Sequence, residues 1–260
     1  MESLPVDRRD SRADSGRPIV ARRATYTPEW PSEAFIVPLL RALIDEGLSR
    51  YAVPARSGAR ALDVGCGAQP FRAALEKLGY AYVGLDAQQN AAGSVDVVAV
   101  IDAPLPSKLI ERAPFDFILC TEVLEHVAQW GTAFGNLARL LAPGGRVLVT
   151  CPHFYIPHEE PYDFWRPTPH ALSRFASDAG LRVLELRGVG DAWDVLGTLL
   201  AVTQVWPAKR RRLLDRLLAA VVRLQCRAAH AALRSGRLQR RVRAGGPCYL
   251  SVFGVFEKTG

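Results

Sequence analysis

The chain is expected to fold as an α/β protein with a doubly wound, mostly parallel sheet of seven strands, and three observations predict this. Short apolar runs alternate with helix-period segments from residue 60 onward. The first run, Arg60–Val64, opens directly into Gly65-Cys66-Gly67, where a strand must turn sharply toward a helix. The 260 residues are 49% hydrophobic and 23% charged, enough apolar material to cover both faces of such a sheet.

Taken in order, residues 1–30 are polar, charge-mixed and without periodicity, and read as a disordered or loosely docked arm. Residues 35–48 have helical spacing that ends near Gly47. Arg60–Val64 is a buried strand, 71–78 a helix closed by Gly79, 82–85 a second strand, 95–101 a third and 115–120 a fourth. Residues 122–141 read as mostly helix, stopped by Pro143-Gly144-Gly145. A strand at 146–151, a helix at 169–179 and a strand at 181–187 follow. Residues 191–245 break the alternation, first apolar and then basic and helical, before a final strand within 246–260. The core is thus 31–190 plus that last strand, with 191–245 inserted between them.

Five scattered cysteines with no CxxC pair speak against a disulfide framework or a thiolate zinc site, and for a reducing, cytoplasmic compartment. The first residues lack an apolar leader stretch. The longest apolar stretch, 195–206, is interrupted by Gly197, Thr198, Thr203 and Gln204, too short and too polar to span a bilayer.

The motifs fall in a fixed order. Ala61-Leu-Asp63-Val-Gly65-Cys66-Gly67 comes first, and Asp86 ends the next strand nineteen residues after Gly67. Ile101-Asp102-Ala103, the strand 115–120 ending in Cys120 and Thr121, and Leu141-Ala-Pro-Gly-Gly145 follow. A GxG turn lets backbone approach a ligand where side chains would collide, and an acid ending the second strand is placed to accept ribose hydroxyls. A nicotinamide-binding turn would want a third glycine where Pro70 stands.

This series resembles the class I, Rossmann-like S-adenosylmethionine-dependent methyltransferases, and the later segment His158-Glu-Glu-Pro-Tyr162-Asp163-Phe-Trp-Arg166-Pro-Thr168 is similar to one in members encoded with bacterial polysaccharide and glycolipid pathways. The resemblance covers about 60–190 and the last strand. It implies S-adenosylmethionine as cofactor, with Asp63, Gly65, Cys66 and Gly67 at its methionine and ribose end and Asp86 on the ribose hydroxyls. It also implies that Asp102 and Ala103 reach the adenine, and that Cys120 and Thr121 border the sulfonium.

Two further clusters carry acid–base chemistry. Glu122, Glu125 and His126 fall at i, i+3 and i+4, which would share one face of a helix. The set can act as base, pack beside the cofactor, or hold a divalent cation, as in the metal-dependent ubiquinone-pathway and small-RNA O-methyltransferases it resembles. The loop 153–168 collects His153, Tyr155, His158, Glu159, Tyr162, Asp163 and Arg166. We read His126 and His158 as catalytic candidates and Tyr155, Tyr162 and Arg166 as substrate candidates; the alternative for the loop is a rigid lid in which Asp163 and Arg166 pair. The acceptor expected is a hydroxyl on a sugar, glycolipid or small metabolite, with RNA the enzymatic alternative and a non-catalytic cofactor-binding scaffold the other.

Charge is unevenly placed. The chain carries +7, of which residues 207–245 hold +11 and residues 1–30 hold +1, leaving −5 on the rest. Projected on a helix, Arg212, Arg216, Arg223, Arg227, Arg234, Arg237 and Arg241 form one stripe, and Leu213, Leu214, Leu217, Leu218, Val221 and Leu224 a broad apolar face. Three readings compete: the leucines pack on the domain, the segment lies on an anionic membrane at the inner face, or the arginines bind nucleic acid.

Overall fold

The computed structural model describes residues 25–259, apart from 55, 210 and 245; the arm expected at 1–30 lies outside the described residues up to residue 24. Seven strands form one sheet: β1 (Arg60–Val64), β2 (Ala81–Asp86), β3 (Val97–Val98), β4 (Phe115–Thr121), β5 (Leu141–Pro152), β6 (Leu181–Val189) and β7 (Ser251–Lys258). Their order is β3-β2-β1-β4-β5-β7-β6. β1 to β5 run parallel, and β7 slots antiparallel between β5 and β6. The chain reverses direction across the sheet beside β1, so the carboxyl ends of β1, β2 and β4 open one crevice, where ligands sit in such sheets.

Parallel central strands must be apolar on both faces, and these are. Leu62, Val64, Leu85, Ile118 and Val149 point into one layer, closed by α4 (Trp130–Leu140) and α5 (Pro169–Asp178). Ala61, Phe117, Leu119 and Leu148 point into the other, closed by α1 (Ile36–Tyr51) and α2 (Arg72–Lys77). A short α3 (Ser107–Ile110) lies between β3 and β4. Burying a large aliphatic or aromatic side chain contributes about 1.5–3 kcal/mol relative to exposure, so Trp130 and Phe134, both buried, anchor the first layer.

Several boundaries differ from the sequence reading. The third strand shrinks from 95–101 to two residues, because at the sheet edge Asp96 and Val98 lack a further strand to pair with. α1 runs on through Gly47, whose missing Cβ lets Leu148 and Phe253 press against the helix. Residues 122–141 are not mostly helix: Glu122 sits at φ +53°, a 3-10 turn covers Leu124–His126, and α4 begins only at Trp130.

Between β6 and β7 stand α6 (Ala192–Val202) and α7 (Leu213–Arg234). Asp191 caps α6 by accepting from the Trp193 and Asp194 backbone N–H groups. Phe35 lies flat on Gly197, where a Cβ would strike its ring, and meets the His230 ring edge-on at 5.7 Å. The helix pair therefore backs the segment 25–35. Of the three readings of this segment, the one in which the leucines of α7 pack on the domain is not what the structure shows: Leu213, Leu214, Leu217, Leu218, Val221 and Leu224 all face solvent. No helix among the described residues is long and apolar enough to cross a membrane.

Candidate active site

β1 ends in the glycine turn that shapes the site. Gly65 and Cys66 donate their N–H groups to the Leu85 carbonyl, which pins the turn to the end of β2. Gly65 has φ +70°, and a Cβ there would strike Val123; only glycine suits both demands. The Gly67 N–H donates to Asp86 Oδ2 at 2.9 Å, while the Gln88 N–H donates to Oδ1 at 3.1 Å. The ribose-side acid is thus oriented by the turn itself.

Two cavities open along this edge. The narrower is lined by Gly65, Leu85, Asp86, Ile101, Asp102 and Val127. The larger encloses about 700 Å³ and is lined by Asp63, Cys66, Gly67, Phe71, Thr121, Tyr155 and His158, with Tyr26, Trp30 and Glu33. Gly65, Glu122, His126 and Glu159 line both, so they mark the seam where the two meet. Asp102 Oδ2 accepts the Gln129 N–H at 3.1 Å.

Burial sets the charge of these groups. It pushes the Asp63 carboxyl up to about 7, against the hydrogen bond from the Tyr82 hydroxyl at 2.8 Å. Burial likewise pushes Glu122 up to about 7, and raises Glu125 well above the usual carboxylate range, with Glu122 adding to it. The Cys66 thiol is pushed up to about 12 by burial and stays protonated. Tyr26, raised by burial and then by Glu122, remains a neutral phenol bonded to Thr121.

The helix-face expectation for Glu122, Glu125 and His126 fails, but a cluster forms by another route. Glu125 and His126 sit in the 3-10 turn, and the loop after β5 docks on it: the Phe164 and Trp165 N–H groups donate to the Glu125 carbonyl. That docking brings in His158. Glu125 Oε1 lies 3.7 Å from His126 Nε2 and 3.9 Å from His158 Nε2, and the two imidazoles meet edge-on at 4.8 Å. Ligand atoms of the three residues lie within 4.8 Å of one another. Glu125 is fully buried, and its Oε1 makes no hydrogen bond among the described residues. A buried acceptor of this kind facing two imidazoles fits a divalent cation.

Other expected residues fall elsewhere. Cys120 points into the core beside Leu62 and Val149, since side chains alternate along β4, and Thr121 lines the cavity instead. Ala103 does not line either cavity; its carbonyl accepts from Asn136. Tyr162 contributes its carbonyl, which accepts from His126. Arg166 is no substrate contact: Nε, Nη1 and Nη2 make five bonds, to both Asp163 oxygens and to the carbonyls of Tyr155, Ile156 and Trp165. A guanidinium has five N–H donors, so none is left over. Burial works to raise the Asp163 carboxyl, and Arg166 overrides it to hold the group below its usual range.

The segment 25–35 is the part that sequence reasoning missed. Tyr26, Glu29, Trp30, Ser32 and Glu33 border the larger cavity. Its local signal was present: Pro31 opens a 3-10 turn, and Glu33 Oε2 accepts the Glu29 and Trp30 N–H groups at 2.7 and 3.2 Å.

Fold and site together define an α/β protein of the class that can hold a nucleoside-type cofactor on a glycine turn. The chain belongs to the methyltransferase domain family, whose pattern matches residues 39–186. It is 30% identical over 152 residues to a ubiquinone biosynthesis O-methyltransferase of Caulobacter sp. (strain K31), covering 50% of this chain and 60% of that protein. It is 29% identical over 160 residues to one of Burkholderia pseudomallei (strain 1710b), covering 51% and 68%. The matched stretch thus spans about two thirds or less of these relatives. The fold is also that of a SAM dependent methyltransferase from Archaeoglobus fulgidus, with a TM-score of 0.50 at 15% identity over 84% of this chain and 94% of that one.

Proposed function

We propose that the chain transfers the methyl group of S-adenosylmethionine to a hydroxyl oxygen of a small-molecule or glycolipid acceptor. When bound, the cofactor supplies a methyl on sulfonium that is already activated. The protein's contribution is then alignment, which supplies much of the acceleration, and removal of the acceptor proton. One observation carries the reading: the free Nε2 of His126 stands at the seam between the Asp86 crevice and the larger cavity.

Gly65, Gly67 and Asp63 would cradle the methionine part, Asp86 the ribose and Asp102 the adenine edge. The Nδ1–H of His126 faces a carbonyl, so Nε2 carries the lone pair; burial lowers its pKa and keeps the ring neutral and basic. Tyr155, Ile156 and Trp30 offer apolar surface for the acceptor body. The relatives named for O-methylation support oxygen as the accepting atom.

Glu125, His126 and His158 favour a second reading, a divalent cation at this seam that would take the His126 Nε2 lone pair and replace the imidazole as the means of activating the acceptor. Held there, it would lower the pKa of an acceptor hydroxyl. Metal binding by the wild type, lost in Glu125→Gln, is the direct check.

The transfer reading is tested by incubating the protein with methyl-labelled cofactor and separate phenol, sugar, glycolipid and RNA acceptors, then locating the label by mass spectrometry. Label on oxygen of one of the first three is expected. Label on nitrogen, carbon or RNA, or none on any acceptor, overturns it.

A further inference from the structure

Helix α7 lies on the protein with its apolar side outward. The row turned toward the domain is Asp215, Ala219, Arg223, Cys226, His230 and Leu233, spaced three or four residues apart. Apart from the buried Leu233 that row is small or polar, and it makes specific contacts: Arg223 Nη1 donates to the Val205 carbonyl at 3.0 Å, and His230 meets Phe35. The opposite side presents Leu213, Leu214, Leu217, Leu218, Val221 and Leu224, each 52–69% exposed. Trp206, 68% exposed, stands just ahead of the helix. Arg216, Arg227 and Arg234, all exposed, run along one edge of the leucine face.

Water is a poor partner for six neighbouring aliphatic side chains, and a patch of this kind marks an interface. The charge says with what. Asp215 is the single acid in 207–245, and its carboxylate already accepts the Lys209 backbone N–H at 3.0 Å. A second copy docked through this face would bring no acidic group to meet the arginines, whichever way the helices ran. Nucleic acid would match the arginines but leave the leucines facing water. A surface apolar beneath and anionic above satisfies both edges at once.

We propose that α7 seats the protein on an anionic lipid bilayer, its leucines and Trp206 at the headgroup–acyl boundary and its edge arginines on lipid phosphates. The docking stands whether or not the acceptor is a lipid.

Co-sedimentation of the full chain with phosphatidylglycerol–phosphatidylcholine vesicles, against phosphatidylcholine alone, tests this. Binding to the anionic vesicles is expected, at least about tenfold weaker to neutral ones and weakened by salt. Each basic residue at such a surface is worth roughly fivefold, so Arg216→Glu, Arg227→Glu and Arg234→Glu together should cost at least about a hundredfold. Leu217→Ser with Leu224→Ser should abolish binding and leave Tm unchanged, because both side chains already face solvent. The proposal is overturned by no binding to either vesicle, by a fall in Tm in the leucine pair, or by a dimer in sedimentation velocity that the leucine pair disperses. RNA binding that survives the leucine pair, with no vesicle binding, would overturn it in favour of nucleic acid.

Discussion

His126 Nδ1 lies 2.8 Å from the carbonyl oxygen of Tyr162. A carbonyl only accepts, so the proton belongs on Nδ1 and the lone pair on Nε2, which faces Glu125 and His158. A loop residue thereby sets the tautomer of a side chain in a turn 36 residues earlier in the chain. His126→Ala should lose about 10²–10⁴ in transfer rate while calorimetry shows cofactor affinity within a few-fold of wild type. A loss of less than a few-fold would show that alignment alone drives transfer.

The same ring predicts a pH profile. Burial lowers the His126 pKa, and the base must be unprotonated to work. Activity therefore falls as pH drops through that lowered value, and the acid limb of the rate profile should lie below the ~6.5 of an ordinary histidine. An acid limb at or above 6.5 would assign the proton transfer to another group.

Arg166 and Asp163 hold the loop 153–168 in the shape that delivers His158 and Tyr155. Arg166→Lys keeps the charge but cannot make five bonds, so it should cost about 2–3 kcal/mol, read as a lowered denaturation midpoint. Proteolysis of the variant within 153–168 should speed up, and cofactor affinity should hold. An unchanged midpoint would mean that the loop is fixed by its other contacts.

How far the sequence could be read follows from how local each signal is. The strand at 60–64, its glycine turn and Asp86 are legible because spacing alone places an acid at the end of the neighbouring strand. The Glu122–His126 stretch misled because its helical spacing is real, yet Glu122 takes a left-handed φ that starts a tight turn instead. Tertiary demand wins there: β4 must end under the loop carrying Phe164 and Trp165. Arg166 could not be told from a substrate clamp, since its five carbonyl and carboxylate partners are visible only once the loop is folded. The leucine face of α7 was legible as a face, but nothing local says which side a helix turns outward.

Gly65 offers a sharp test of the cofactor site. At φ +70°, and with Val123 where a Cβ would go, Gly65→Val meets both backbone strain and a clash. Cofactor binding should become undetectable by calorimetry. Cys120→Ser, in the core behind the same turn, should lower Tm and leave affinity largely intact. The reverse pattern would move the cofactor away from the glycine turn.

Asp63 and Glu122 should make cofactor binding a proton-releasing event. Burial pushes both to about 7 in the folded chain, whereas in the unfolded chain such groups ionise near 4. Between about pH 4 and 7 the native state therefore binds more protons than the unfolded state, and stability falls as pH rises through that window. The cofactor brings a sulfonium and an ammonium, and positive charge beside these carboxyls favours their ionised forms and lowers their pKa values. Affinity should rise with pH up to about 7, and protons should leave on binding below it. Calorimetry at pH 6 in two buffers of different ionisation enthalpy measures the release directly. Asp63→Asn and Glu122→Gln should each remove part of the buffer dependence. Identical binding heats in the two buffers would show that both carboxyls keep their protonation state, and that the cofactor's positive charge is met by other groups.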